Sequence, residues 1–259
     1  MDPEGYWASR LAAAALVACT GAAAAWFAGR RPAGTWLFRA GFGLLLAAVA
    51  VRWTAVGHTP MKNLFEVFLC MATLCYPLSA FFERRLRVPG RGEDALMAAL
   101  FLVPVAFVFD PAPLPLPPIL RSRLFGPHIL AYLAGYLVML RAGVQSVRVL
   151  ASGGTDARAD EGAHRLARFG FPLLTLGLVL GSVWGQRAWG DYWNWDPKEL
   201  WALAMWLVYV GYFQWRRLTG GARRRANAAF VLAGCGTIAA TLLWANLARV
   251  FAGLHSYAS

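Results

Sequence analysis

Long apolar segments separated by short polar segments run along the whole chain. Residues 11–27, for example, contain no charged side chain. A bilayer core needs about 20 mostly apolar residues per helix. The pattern predicts transmembrane spans at 8–28, 35–56, 64–83, 93–109, 127–149, 167–186, 201–216 and 228–250. The sequence therefore predicts an all-α polytopic bundle of about eight spans, in a single integral membrane domain over residues 1–259. The fourth and seventh segments are short, and Pro104 interrupts the fourth.

Composition and charge agree with a membrane bundle. Hydrophobic residues make up 59% of the chain and charged residues 15%, whereas soluble domains are about half apolar and a quarter charged. A net charge of +12 would suggest nucleic-acid binding in a soluble protein. Here the basic residues cluster between apolar segments, which is typical of topology control in a lipid bilayer. We therefore predict no nucleic-acid partner.

The basic residues also predict sidedness. Alternate loops are rich in arginine, as in 84–91 and 216–225, while the intervening loops carry fewer basic residues. Because cytoplasmic loops carry the excess of Lys and Arg, both termini and loops 57–63, 110–126 and 187–200 are predicted to face outward.

Tryptophan is concentrated in one segment, residues 184–201, with the sequence WGQRAWGDYWNWDPKELW, which we call the Trp segment. It holds five of the twelve tryptophans: Trp184, Trp189, Trp193, Trp195 and Trp201. An interfacial aromatic belt is one explanation, but a belt needs only one or two aromatic residues per helix end. Flat indoles also stack on flat apolar ligands, and this explanation is favoured.

The Trp segment also contains a helix-start signal. Asp196 followed by Pro197 predicts an N-cap and the first position of a helix. Glu199 then falls in the first turn, where its charge suits the helix dipole.

Histidine is the commonest side-chain ligand of transition metals and heme iron. By the predicted topology, His128 at the start of span five and His255 after span eight lie on the same face as the Trp segment. His58 also lies outside, either as a further ligand or, by preference, as a group that caps its loop. His164 falls in an arginine-rich inner loop and is predicted to be solvated.

These motifs resemble a known family. Residues 184–201 look like the WWD signature of heme-handling proteins, and the DPKELWAL continuation resembles the CcsA (ResC) branch of cytochrome c biogenesis, known as System II. Residues 57–66, GHTPMKNLFE, resemble the branch's GHxPxxNxxE stretch. The segments around His128, with Tyr132 and Tyr136, and around His255 resemble those that carry its two outer histidines.

The resemblance implies the heme-handling subunit of a cytochrome c synthase, or heme lyase, complex in the bacterial cytoplasmic (inner) membrane. Heme b would bind on the outer, periplasmic face and be attached to the CxxCH thiols of an apocytochrome c, with a CcsB/ResB-type partner. His128 and His255 would be the axial iron ligands. The remaining candidate heme-binding residues are Trp184, Trp189, Trp193, Trp195, Asp196, Trp201, His58 and Arg187. No catalytic residue is assigned.

The chain departs from the family pattern at one position. The family often carries a histidine at the inner end of the helix after its WWD segment, where this chain has Gln214. Propionate partners for a bound heme would be Arg187, Lys198, Arg52 or Arg249.

Two other functions compete with heme attachment. One is a heme or lipid exporter without a synthetic role, and the other is a membrane b-type cytochrome that transfers electrons.

Overall fold

The computed structural model describes residues 3–244, and these residues form α-helices without a single strand. Each of the eight predicted spans overlaps a helix, the eighth over residues 228–244 of its predicted 228–250, so the all-α prediction is confirmed. The helices are α1 (Pro3–Phe27), α2 (Arg31–Val56), α3 (Leu64–Phe81), α4 (Arg91–Phe107), α5 (Phe125–Ala151), α6 (Ala157–Trp189), α7 (Pro197–Leu218) and α8 (Arg224–Ala239). Single π-helical turns, Phe82–Leu86 and Ala240–Trp244, continue α3 and α8.

Six helices in this part of the chain are long and apolar enough to cross a membrane. They are α1, α2, α3 with its π turn, α5, α6, and α8 extended to Leu243. The other two, α4 and α7, correspond to the two segments that the sequence marks as short. α4 has 17 residues and contains Pro104.

The chain divides into two compact units, Met1–Pro118 and Ile119–Ser259. In the first unit, α1 packs against α2 and α4, and α3 packs against α4. In the second unit, α5 packs against α6 and α8, and α7 packs against α8. The single-domain organisation stays a prediction.

Small residues bring the helices of the first unit together. Ala8, Ala12, Ala15, Cys19 and Ala22 are fully buried and recur every three or four residues along α1. Such a stripe allows close approach of helix backbones, which is the main source of packing energy between membrane helices.

A buried ion pair connects α2 and α3 in the same unit. Arg52 and Glu66 are 2.9 Å apart, and both side chains are fully buried. Arg52 also donates to the carbonyls of Pro111 and Ala112, while Glu66 accepts the backbone N–H of Lys62 at 2.8 Å. Buried ions are retained when several such bonds compensate their desolvation. The Arg52 guanidinium therefore connects α2 to the start of α3 and to the backbone at Pro111 and Ala112. Its role as a propionate partner stays a prediction.

Candidate functional site

The second unit contains an open pocket with about 640 Å³ of empty space, part of which is continuous with solvent. Helices α5, α6 and α7 and the connection between α6 and α7 supply most of its wall. Its lining is largely aromatic, with a few polar side chains: His128, Tyr132, Tyr136, Trp184, Trp189, Tyr192, Trp193, Lys198 and Glu199. Concave sites with aromatic walls and a few polar groups are typical of ligand sites.

His128 lies in the first turn of α5, and three neighbours fix its ring. Its Nδ1 is 2.9 Å from the carbonyl oxygen of Gly177 on α6. The indole of Trp184 lies nearly parallel to it, with ring centroids 6.0 Å apart, and Tyr132 meets it edge-on at 5.2 Å. The imidazole therefore has a defined orientation in the pocket wall.

Two of the predicted heme-binding tryptophans, Trp184 and Trp189, lie on α6. α6 continues past its predicted end at residue 186 to Trp189, where Gly190 adopts a left-handed conformation with φ 90° and caps the helix. Trp184 is 2% exposed, and its ring meets that of Trp189 at 4.8 Å in an edge-to-face arrangement. The irregular part of the Trp segment is thus limited to residues 190–196.

The start of α7 is as the sequence predicts. Asp196 is the N-cap, its carboxylate accepts the N–H of Lys198 at 2.9 Å, and Pro197 occupies the first turn. Glu199 completes a capping box with Asp196. A capping box satisfies N–H groups that the first helical turn leaves without partners.

Glu199 also organises the preceding residues. Its Oε2 accepts the backbone N–H of Asn194 at 2.7 Å and that of Asp196 at 3.3 Å. Between them, Trp195 has φ 58°, a conformation that costs about 1–2 kcal/mol for a residue with a Cβ atom. The carboxylate therefore holds a strained backbone in place. For Glu199 the sequence predicted only a favourable interaction with the helix dipole. The pattern of Asp196 followed three residues later by Glu199 is nevertheless a signal for a capping box.

Trp193 and Trp195 differ in their surroundings. Their rings meet nearly at right angles, 5.9 Å apart. Trp193 lines the pocket, and its buried Nε1 finds no hydrogen-bond partner among the described residues. Trp195 is 64% exposed. Within residues 3–244, Trp195, Trp201 and Arg187 lie outside the pocket lining.

Lys198 is the cation that lines the pocket among the described residues. Burial lowers the pKa of its ammonium from 10.5 to about 8, against a smaller raising effect of the Asp196 carboxylate. Its charge is therefore present at neutral pH and is lost under mildly alkaline conditions.

The remaining histidines have other surroundings. In the first unit, the ring nitrogens of His58 lie 3.0 Å from the Thr59 carbonyl and 3.2 Å from the Leu114 carbonyl, an arrangement suited to a loop cap. His164 lies on α6 and is half-buried, with Nδ1 3.1 Å from the Tyr212 hydroxyl. The prediction of a solvated His164 was wrong, because α6 begins at Ala157, ten residues before the predicted span. His255 and Arg249 lie outside the described residues.

Comparisons with known proteins agree on one family. Residues 36–251 match the family described as "Cytochrome C assembly protein". The chain is 32% identical to the "Cytochrome c biogenesis protein CcsA" of Synechococcus sp. (strain CC9902), over 83% of each chain. It is 31% identical to the protein of the same name from Chlamydomonas reinhardtii, over 83% of this chain and 65% of that one.

A solved structure shares the fold. The "Cytochrome c Heme Lyase CcmF" superimposes with a TM-score of 0.73 at 20% identity, over 93% of this chain and 47% of that chain. The chain thus spans about half the length of this structural neighbour. The resemblance to the CcsA branch that the Trp segment suggested is confirmed by the sequence matches. The apolar helices and these relatives together identify an integral membrane protein, and the chain belongs to the cytochrome c assembly protein family.

Proposed function

We propose that this chain binds heme b on the outer face of the bacterial inner membrane and presents it for thioether attachment to apocytochrome c. A CcsB/ResB-type membrane protein would be its partner. The observation that carries the proposal is the His128 imidazole, held in one orientation in the wall of a Trp-lined pocket. The outward orientation rests on the uneven distribution of arginine among the loops.

The residues present fit heme. Trp184, Trp189 and Trp193 offer flat apolar walls, and His128 offers an imidazole. The Trp193 indole N–H is a buried donor with no acceptor among the described residues, and a buried donor of this kind favours a ligand that brings one. A heme propionate is such an acceptor. His255, outside the described residues, would supply a second imidazole ligand.

When bound, heme would supply the vinyl groups that react with thiols and an iron that binds imidazole nitrogens, and the protein would supply binding and orientation. His128 would bind the iron, and the indoles of the pocket wall would pack against the flat ring. Lys198 and the Trp193 N–H would bind carboxylate at one end, so that the opposite, vinyl-bearing edge is presented to the client. Lys198 is favoured over Arg187 and Arg52 because it lines the pocket, whereas Arg187 is exposed and Arg52 is committed to Glu66.

The experiment that tests this function is reconstitution in a bacterium that lacks its own cytochrome c assembly system. The chain is expressed with a CcsB-type partner and an apocytochrome that carries one CxxCH motif. We expect covalent heme on the reporter, seen by heme staining after denaturing electrophoresis and by the thioether position of the pyridine hemochrome band. His128→Ala should abolish it, whereas Gly126→Ala, whose added methyl meets open space, should not.

Export of heme without covalent attachment would overturn the synthetic role and favour the transporter. Heme that remains bound and exchanges electrons with a quinol, again without attachment, would favour the b-type cytochrome.

Heme affinity should depend on pH through Lys198. The ammonium is charged below its pKa of about 8, so its attraction for a propionate is present at pH 7 and declines as the pH rises above 8. A charge-assisted hydrogen bond contributes about 1.5–3 kcal/mol, so we expect Lys198→Gln to weaken binding at pH 7 about tenfold or more and to remove the decline. Hemin titrations at pH 7 and pH 9 measure both effects.

The chain provides a matched control for this prediction, because Lys62 is its other lysine. Lys62→Gln should leave the pH dependence intact. Heme dimethyl ester, which lacks propionate charges, should bind the wild type and Lys198→Gln equally. A large difference for the ester would show that Lys198 acts on something other than the propionates.

A further inference from the structure

We propose that the backbone carbonyl of Gly177 is the positioning group for His128. It fixes the neutral imidazole in the tautomer that carries its proton on Nδ1, so that Nε2 carries the lone pair with which His128 would bind iron. This inference rests on the proposed function, because it assigns which atom of His128 becomes the ligand and what sets its basicity.

The hydrogen bond itself defines the tautomer. A carbonyl oxygen accepts and cannot donate, so a contact of 2.9 Å between it and Nδ1 requires a proton on Nδ1. In a neutral imidazole the other nitrogen, Nε2, then carries the lone pair. Histidines that bind metals usually donate their second ring N–H to such an acceptor, which fixes the ring and makes the ligand more basic.

The helix register explains why glycine stands at the facing positions. His128 and Tyr132 are four residues apart on α5, and Gly177 and Gly181 are four residues apart on α6. A Cβ atom at Gly181 would lie 2.5 Å from Cε1 of His128, and one at Gly177 would lie 2.9 Å from the Tyr132 ring. Non-bonded carbon atoms in contact lie about 3.5–4.0 Å apart, so a Cβ atom at either position would overlap a ring of α5. Both glycines therefore make room for the rings of His128 and Tyr132.

Trp184 restricts the ring from another direction. Its indole, one turn beyond Gly181, lies within 19° of the imidazole plane, and Trp184 is buried. The backbone carbonyl, the two glycines and this indole together hold the imidazole before any ligand is bound. Preorganisation of this kind reduces the free-energy cost of ordering a side chain upon binding.

The test replaces the side chain with free imidazoles. His128→Gly removes the ring, and the purified variant with bound hemin is titrated with 4-methylimidazole or 1-methylimidazole. These isomers have the same size and both coordinate iron, but 1-methylimidazole lacks the N–H that would donate to Gly177. The affinity of each isomer for the variant is divided by the affinity of the same isomer for free hemin in the same detergent. On this corrected scale, we expect 4-methylimidazole to restore the low-spin spectrum with about tenfold higher affinity than 1-methylimidazole.

Gly181→Ala tests the same arrangement with His128 in place. The added methyl should displace the ring from the Gly177 carbonyl, raise the heme reduction potential because the ligand becomes less basic, and increase the fraction of high-spin iron. Gly126→Ala is the control, because its methyl meets open space on α5, and it should leave both properties unchanged.

Two results would contradict these expectations, and they differ in what they overturn. Equal corrected affinities of the two isomers, with an unchanged potential in Gly181→Ala, would overturn the role of the Gly177 carbonyl while leaving His128 as a ligand. An unchanged low-spin spectrum in His128→Gly without any added imidazole would overturn His128 as an iron ligand, whereas failure of the proposed function itself would appear as absence of covalent heme on the reporter in the reconstitution.

Discussion

Purified wild-type protein should show the sharp absorption bands of low-spin b-type heme, and His128→Ala/His255→Ala should lose them. His128 and His255 would bind the iron through imidazole nitrogens, which favours the low-spin state, and without both of them heme would be held by indole contacts and hydrogen bonds to its propionates alone. We expect bound heme to fall at least tenfold relative to the wild type. His128→Ala alone should retain some heme in a high-spin state. The measurement is the absorption spectrum of the detergent-purified protein before and after reduction.

The other described histidines provide matched controls. His164→Ala removes an imidazole that bonds to the Tyr212 hydroxyl, and the low-spin spectrum should survive. His58→Ala removes a ring that faces two loop carbonyls in the first unit, and it should lower thermal stability without changing the spectrum. Identical spectra in the wild type and the double variant would show that the histidine assignment is wrong. Loss of the bands in His58→Ala would instead support a third ligand.

The fold could be predicted from sequence because its main determinant is local. Six of the described helices are apolar segments of the length that a bilayer requires, and the helix start at Asp196 and Pro197 is determined by neighbouring residues. The start of α6 is also marked by a local signal. Asp156 is an N-cap whose side chain accepts the N–H of Ala159 at 2.9 Å, and Asp is among the preferred residues at that position.

The candidate site could be predicted only in part, because its geometry depends on how helices pack. Gln186 and Arg187 interrupt the apolar pattern and indicate a loop, but α6 continues because both side chains are exposed. The sequence places His128 and the Trp segment on one face, yet it does not give the register of α5 against α6. The contact between His128 and the Gly177 carbonyl therefore appears only in the structure.

Glu199→Gln should have the second large effect, on the conformation of residues 190–196. The carboxylate accepts two backbone N–H groups, on either side of the strained Trp195. Hydrogen bonds to charged groups contribute about 1.5–3 kcal/mol, and a neutral amide is a weaker acceptor. We expect a lower midpoint of thermal unfolding and at least a tenfold loss of retained heme, because Trp193 and Tyr192 line the pocket from this segment. Glu161→Gln, which changes a half-exposed ion pair on α6, is the control and should change neither value.

Trp195→Gly separates the backbone role of Glu199 from a direct role in binding. Glycine adopts positive φ without the penalty that Trp195 incurs, so residues 190–196 should keep their conformation with less help from the carboxylate. We therefore expect Glu199→Gln/Trp195→Gly to recover most of the unfolding midpoint that Glu199→Gln loses. If Glu199 instead contacts the ligand directly, the double variant will recover the unfolding midpoint but not the retained heme. Measured side by side, the two variants show whether the carboxylate acts by holding the backbone that places Trp193 in the pocket wall.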